Sequence, residues 1–348
     1  MLKNRFLCGD CVEKMARLPD HSIDMIFADP PYFMQTSGVL NRSDGTRFTG
    51  VNESWDKFEN LKDYDDFCRS WLLECRRLLK PNGTIWVIGG LQNIYRLGYL
   101  MQEMGFWILN EVIWTKPNAP PNFTGTRLQN HHETLLWCSP KKNAPYTFNY
   151  QTLKALNGGK QANSVWDIPI CLGPERIKGE DGKKLHATQK PEALLYRVIL
   201  ASTKPGDVVL DLFSGTGTTS AMAKLLGRSF IAIEKDEKYL LSARHRVAKI
   251  KPKLDDLALL LKDKKPPKIL FSNLLKKGLL KEGDFLYTPQ GKKVKILPNG
   301  FLKYQGKLAS IHQMAAWIQK KSVANGWLYW HLKTKKGLEP IDILRRKK

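Results

Sequence analysis

Residues 208–234 limit the folds open to this 348-residue chain more than any other stretch. Val208-Val209-Leu210-Asp211-Leu212-Phe213 is apolar enough for a strand buried on both faces, and it runs straight into Ser214-Gly215-Thr216-Gly217. A helix is expected over 218–226 and a second apolar strand, Phe230-Ile231-Ala232-Ile233-Glu234, follows. Strand, glycine turn, helix and strand in so short a span make a βαβ unit, whose strands must lie parallel in one sheet.

The rest of the first 250 residues alternates in the same way. Ile23-Asp24-Met25-Ile26-Phe27-Ala28 reads as a buried strand that stops at Asp29-Pro30-Pro31-Tyr32. Residues 33–58, with Gly38, Gly45 and Gly50, read as a long loop, and such loops inside compact domains are usually functional or disordered. Tyr64, Phe67, Trp71, Leu72, Cys75, Leu78 and Leu79 recur at helical spacing over 62–80, which Lys80-Pro81-Asn82-Gly83 ends. Strands are expected at 84–89 and 107–114, and helices at 94–104, 191–202 and, after the strand that ends at Glu234, to about Lys249. Residues 115–185 are rich in Pro, Asn and Gly with weak periodicity. The alternation predicts a doubly wound α/β sheet over 1–250. A charged, proline-containing linker is expected at 251–268, and a small domain of short strands with a helix at 311–320 occupies 269–348.

Charge separates the two parts. The formal net charge is +23; residues from Lys251 onward carry 23 Lys+Arg against 7 Asp+Glu, the first 250 carry 33 against 26. A tail this basic points to a polyanion, and its aromatics add a means of stacking on bases. Hydrophobic residues at 42% exclude general disorder, and no apolar run reaches the ~18 residues of a membrane span. The N-terminus enters strand-like sequence directly, without a signal peptide, so a cytoplasmic, nucleoid-associated protein is expected. Six scattered cysteines fit reduced thiols; Cys8 and Cys11 lack a second ligand pair, His131-His132-Glu133 lacks a second zinc-protease histidine, and no metal is expected.

Two motifs carry chemistry. The turn after Asp211 lets a ligand approach backbone at a helix N-terminus, and Glu234, at the end of the next strand, can accept two ribose hydroxyl protons. A dinucleotide site wants glycine where Ser220 stands, and a P-loop needs Gly-Lys-Ser/Thr, which is absent; an S-adenosylmethionine site has the same strand-turn-helix logic without pyrophosphate. Asp29-Pro30-Pro31-Tyr32 suits attack by an aromatic exocyclic amine. Such an amine is a poor nucleophile because its lone pair is delocalised into the ring. Acceptors on its hydrogens, here Asp29 and the Pro30 carbonyl, free the lone pair; Pro31 stiffens the turn, and Tyr32 offers a ring face to an extruded base. Preorganised positioning and electrostatics would then carry most of the rate.

These residues resemble the amino-methyltransferases of DNA. The catalytic motif precedes a variable region and the cofactor motif, the permuted order of the β class. The likeness spans nearly the whole chain. Ile26-Phe27-Ala28-Asp29-Pro30-Pro31-Tyr32, Trp86-Val87-Ile88-Gly89, Gly105-Phe106-Trp107-Ile108-Leu109-Asn110, Asn122-Phe123-Thr124-Gly125-Thr126-Arg127, Gln189-Lys190-Pro191-Glu192-Ala193-Leu194-Leu195 and Asn325-Gly326-Trp327-Leu328-Tyr329-Trp330-His331 are similar to the cell-cycle-regulated and HinfI-type adenine methyltransferases. One departure is Leu212, where many relatives have proline, and the 33–58 loop also differs. The resemblance implies a Rossmann-like S-adenosylmethionine-dependent methyltransferase fold with a target-recognition region at about 115–185. It also implies methylation of adenine N6 in GANTC by base flipping. By the same resemblance Asp10 and Cys11 lie near the cofactor's adenine, and Gln189 and Lys190 border its methionine end with the turn after Asp211, namely Phe213, Ser214, Gly215, Thr216, Gly217 and Thr218.

The expected partners are double-stranded DNA, with a second copy of the chain and a cognate restriction endonuclease as further candidates. Candidate DNA contacts are Phe33, Met34, Arg127, Trp330 and Lys333, and apolar Phe33, Met34, Val39 and Leu40 either wedge into the base stack or pack on their own domain. N4-cytosine methylation is the nearest alternative chemistry, disfavoured because cytosine enzymes usually carry Ser at the position of Asp29. A catalytically silent DNA-binding regulator would not need both intact motifs.

Overall fold

The computed structural model describes residues 3–34, 40–41, 47–48, 56–122, 126–179, 182–253, 269–334 and 337–346. The chain divides into two compact units, Met1–Asp263 and Lys264–Lys348. In chain order the first contains β1 (Arg5–Cys8), α1 (Cys11–Met15), β2 (Ile23–Ala28), a short ladder β3 (Leu40–Asn41) and β4 (Arg47–Phe48), α2 (Leu61–Leu78), β5 (Leu79–Gly89), α3 (Ile94–Glu103), β6 (Trp107–Thr115), β7 (His132–Ser139), α4 (Tyr150–Leu156), β8 (Val165–Asp167), α5 (Glu192–Ser202), β9 (Val208–Asp211), α6 (Thr218–Leu225), β10 (Ser229–Glu234) and α7 (Glu237–Ala248).

Eight of these strands form one sheet in the order β1-β10-β9-β2-β5-β7-β6-β8. The first five run parallel, and β7 is antiparallel to both neighbours. Side chains alternate across the central strands: Ile26, Ala28, Ile85 and Val87 join the core under α1, α2 and α3, whereas Met25, Phe27, Trp86 and Ile88 join the core with α5 and α6. Helices therefore cover both faces of a doubly wound sheet. From β9 the chain crosses to β10 on one side, and from β2 to β5 on the other, so the winding reverses between β9 and β2. Phe27 pairs with Asp211 there, so the strands bearing the two sequence motifs end side by side. Such a switch point is where open α/β sheets bind ligands.

Two details depart from the sequence reading. Lys80–Gly83 was expected as a stop, yet β5 continues through it. Ile23 pairs with Leu79 and Met25 with Thr84, so the four intervening residues are absorbed as an irregularity in the ladder. The weakly periodic stretch after Thr115 contains β7, which fills the sheet between β5 and β6. Among the described residues no helix is long and apolar enough to cross a membrane, and no group of His, Cys, Asp and Glu could hold a metal ion.

The second unit is a six-stranded antiparallel sheet, β14-β13-β12-β11-β15-β16, built from β11 (Phe285–Tyr287), β12 (Lys293–Ile296), β13 (Leu302–Tyr304), β14 (Lys307–Ala309), β15 (His331–Thr334) and β16 (Gly337–Pro340). A helix at Ile311–Ile318 starts at a Ser310/Gln313 capping box and packs Met314 and Ala315 onto Leu286, Val294, Ile296, Leu302, Trp327 and Trp330.

Candidate active site

The catalytic turn leaves β2 at Ala28 and is fastened from three directions. Asp56 accepts from three successive backbone N–H groups, those of Tyr32 (2.7 Å), Phe33 (2.8 Å) and Met34 (2.9 Å). Phe33 sits at φ 52°, a left-handed conformation costly for a non-glycine residue, and this carboxylate cradle offsets the cost. The Pro31 carbonyl accepts from the Tyr64 hydroxyl at 2.9 Å, and Asn93 Nδ2 donates to that hydroxyl at 3.1 Å. On the third side Gly90 is tight: a Cβ there would lie 3.3 Å from two atoms of the Tyr32 ring. Among the described residues no donor reaches the Pro30 carbonyl.

Asp29 itself is split between its two oxygens. Oδ2 accepts from Lys190 Nζ at 2.7 Å, whereas Oδ1 is buried without a partner. Leaving a buried carboxylate oxygen unpaired is expensive, and ligand sites are where such an atom is kept. Burial pushes the Asp29 carboxyl up, and the Lys190 ammonium pulls it back. For Lys190 burial acts downward, but Asp29 and Glu133 outweigh it and raise the ammonium above its ordinary value. Lys190 also lies 5.2 Å from the centroid of the Tyr32 ring. Glu133, from β7, accepts from the Tyr32 hydroxyl at 2.9 Å and from Lys116 at 3.2 Å. Burial acts upward on Glu133, but its two lysines prevail and hold it below the usual carboxylate value.

Beside this cluster lies a cavity of about 600 Å³, within the range of small-molecule sites. Gly9, Asp10, Cys11, Asp29, Pro30, Pro31, Tyr32, Met34, Asp56, His186, Lys190, Leu212, Phe213, Glu234, Asp236 and Tyr239 are among its lining residues. Asp10 caps α1, accepting from the Val12 and Glu13 N–H groups, and burial pushes the Cys11 thiol up to about 12, so it stays protonated. Glu234 ends β10. Its carboxylate accepts from Gly215 N at 2.7 Å and Asp236 N at 2.9 Å, tying the glycine turn to the neighbouring strand end.

The sequence-predicted residues therefore divide. Asp10, Cys11, Asp29, Pro30, Pro31, Tyr32, Met34, Lys190, Phe213 and Glu234 meet around one cavity. Ser214, Gly215, Thr216, Gly217 and Thr218 form the turn but do not line that cavity. His186 stands over the turn, 3.3 Å from where a Gly215 Cβ would be, and Gly217, at φ 76°, leaves room for Ala243 of α7, which a Cβ would meet at 2.7 Å. Asp211 is buried with its carboxylate on Phe213 N, and burial pushes it up to about 7. Gln189 is also turned away, holding Ile177 N and the Glu175 carbonyl.

Three expectations about DNA contacts are corrected or bounded. Phe33 is not a wedge in this structure: it is buried against Phe58 and Tyr64, because the Asp56 cradle turns it inward. Trp330 cannot stack on a base, since it is fully buried in the second unit with its indole N–H on the Ile311 carbonyl. Val39 and the Leu40 side chain lie outside the described residues; Arg127 and Lys333 are exposed. Sequence reasoning missed Asp56, Lys116, Glu133, His186 and Tyr239. Only Glu133 had a signal, as a carboxylate at the edge of an apolar run.

The sequence matches the family described as DNA methylase over residues 23–245. The chain is 52% identical over 343 residues to the Type II methyltransferase M.HinfI of Haemophilus influenzae, an alignment covering 98% of this chain and 96% of that protein. It is 41% identical over 249 residues to the Type II methyltransferase M2.DpnII of Streptococcus pneumoniae, covering 70% of this chain and 90% of that one. Among solved structures, a PvuII DNA methyltransferase (cytosine-N4-specific) superimposes with a TM-score of 0.56 at 20% identity over 75% of this chain and 92% of the other, a likeness of fold alone. A switch-point cavity, an aspartate with one free oxygen and a match this extensive lead to one assignment: the chain belongs to the DNA methylase family and is a site-specific DNA methyltransferase of Rossmann-like fold.

Proposed function

We propose that the chain methylates adenine N6 within GANTC in double-stranded DNA, on a base turned out of the helix. The observation that carries the reading is Asp29, a cavity-lining residue whose Oδ1 is buried without a hydrogen-bond partner among the described residues. An amine donates two protons, and Oδ1 with the Pro30 carbonyl, which no donor reaches among the described residues, offers two acceptors on one rigid turn. Bound that way, the amine turns its lone pair away from the ring. The methyl donor is S-adenosyl-L-methionine, which supplies an electrophilic sulfonium methyl.

Asp10 and Cys11 are assigned to the adenine end of the donor, Glu234 to its ribose, and Phe213 with the turn through Thr218 to the middle. Lys190 lines the cavity and donates to Asp29, so it is assigned to the catalytic carboxylate as well as to the methionine end. Tyr32 presents its ring to the base with one side already limited by Gly90. The protein is placed on the nucleoid in the cytoplasm; a second copy of the chain and a cognate endonuclease remain candidate partners.

The test is methyl transfer from labelled donor to short duplexes with and without GANTC, followed by identification of the modified nucleoside. N6-methyladenine confined to the GANTC duplex is expected, with transfer abolished in Asp29→Ala while cofactor still binds. N4-methylcytosine, or wild-type turnover in Asp29→Ala, would remove the assignment.

A further inference from the structure

The ion-pair cluster around Asp29 contains a carboxylate for which methyl transfer has no stated use. Glu133 lies on β7, an interior strand between β5 and β6, and its backbone pairs with Trp114. Its two oxygens are fully engaged: the Tyr32 hydroxyl and Lys190 Nζ face Oε2 at 2.9 Å and 3.8 Å, and Lys116 Nζ faces Oε1 at 3.2 Å. We propose that Glu133 is a positioning residue for methyl transfer, fixing the Tyr32 ring and the Lys190 ammonium together and so setting the direction in which Asp29 offers its free oxygen to the target amine. The proposal rests on the role given to Asp29 above.

The argument is one of degrees of freedom. A lysine ammonium sits on a flexible four-carbon stem, so its position is set by what surrounds it. Around Lys190 stand Asp29 Oδ2, the Tyr32 ring and Glu133, and Glu133 is the member carried within an interior strand rather than on a turn. The Tyr32 hydroxyl, held by the same carboxylate, ties the aromatic surface to the same frame. Charge supports the geometry. Asp29 and Glu133 balance Lys190 and Lys116, so the cluster is neutral as a whole, the condition under which buried charges persist.

Electrostatics supplies a signature that packing would not. The groups facing Asp29 are Lys190, Glu133, Tyr32 on its own turn, and Asp211 from β9. After burial and Lys190, the Glu133 charge acts to raise the Asp29 carboxyl. Transfer needs Asp29 ionised, so it fails as pH falls through that carboxyl's titration. Neutralising Glu133 should move this acid limb to lower pH.

The experiment compares wild type, Glu133→Gln, Tyr32→Phe and the double variant, as full chains with S-adenosyl-L-methionine and a GANTC duplex, by single-turnover rate against pH. A displacement on the order of 1 Å costs up to about 100-fold. Glu133→Gln is therefore expected to lose roughly 10- to 100-fold in rate, with unchanged cofactor affinity by calorimetry and an acid limb at lower pH. The double variant should lose less than the sum of the two single losses, because both changes act on the same hydrogen bond, which Gln can accept only as a neutral amide. A wild-type rate, additive losses or an unmoved limb each overturn the role of Glu133. Should Glu133→Gln not fold, Tyr32→Phe breaks that bond from its other end, and a wild-type rate there overturns it equally. Asp29→Ala separates the two levels: if it is inactive while Glu133→Gln is normal, only Glu133 is misassigned, and if it is active, the reading of Asp29 falls first.

Discussion

At the scale of single residues, Lys190 is the group to whose part the structure adds most. The resemblance placed it at the methionine end of the cofactor, and it does line the cavity, while one donor of its Nζ goes to Asp29 at 2.7 Å. Removing it would leave Asp29 buried with no cation in contact. Breaking a buried pair from one side costs about 3–5 kcal/mol. In Lys190→Met the Asp29 carboxyl, already raised by burial, loses what pulls it down and rises further. A group whose folded pKa is raised contributes stability below its unfolded pKa and loses it as pH rises through the folded value. Lys190→Met should therefore be least destabilised in acid and increasingly so toward alkaline pH. Its activity should need a higher pH than wild type, the opposite displacement to that expected for Glu133→Gln. Denaturant titrations at several pH values and the pH profile of turnover measure the two. A Lys190→Met enzyme with an unmoved acid limb would mean that the ion pair does not govern the Asp29 charge.

At the scale of elements, the site is a set of loop ends made rigid by what they hang from. The catalytic turn takes its strength from Asp56, which is 22 to 24 residues further along the chain than the three N–H groups that it holds. Asp56→Ala frees three N–H groups and leaves Phe33 in a strained conformation, so a loss of about 2–4 kcal/mol is expected, together with lower turnover. Asp56→Asn keeps one acceptor oxygen and should fall between, as thermal melting and methyl-transfer rate would show; an Asp56→Ala protein as stable and active as wild type would mean that the cradle is ornamental. The same elements explain what could be read in advance. Both β2 and β9 announce themselves because a buried run stops abruptly at residues with special backbone needs, prolines in one case and glycines in the other. Their adjacency is a matter of strand order, which the alternation alone does not fix. Strand β7 was hidden because Thr134 to Ser139 are all buried, which erases the period-two pattern, and because proline and asparagine surround it. The ion-pair cluster was hidden for another reason. Asp29 and Lys190 are 161 residues apart and Tyr32 and Glu133 are 101 apart, and no local pattern encodes a contact of that range.

At the scale of the whole molecule, charge is divided unequally between two units that each possess a core. The aromatic residues of the basic tail prove to be partly structural: Trp327 and Trp330 fill the second unit's core, while Trp317 stays 40% exposed with Lys307 4.7 Å from its ring centroid. The lysines are the groups left for a polyanion. Lys276, Lys277, Lys292, Lys293, Lys320, Lys321 and Lys333 are all exposed, whereas Lys335 and Lys336 lie outside the described residues. Phosphate contacts rather than base stacking should then dominate what this unit adds to binding, and such contacts are read by salt. Each one lost lowers the slope of log affinity against log salt by about 0.9. A chain ending near Asp263 keeps both cores of the sheet domain and every residue that lines the cavity. It should fold, bind S-adenosyl-L-methionine as the full chain does, and lose at least about tenfold in duplex affinity with a flatter salt slope. Calorimetry for the cofactor and fluorescence anisotropy for the duplex, each over a range of salt, separate the two effects. Full duplex affinity with an unchanged slope in the shortened chain would show that the lysines of the second unit do not contact DNA, leaving oligomerisation or solubility as its role.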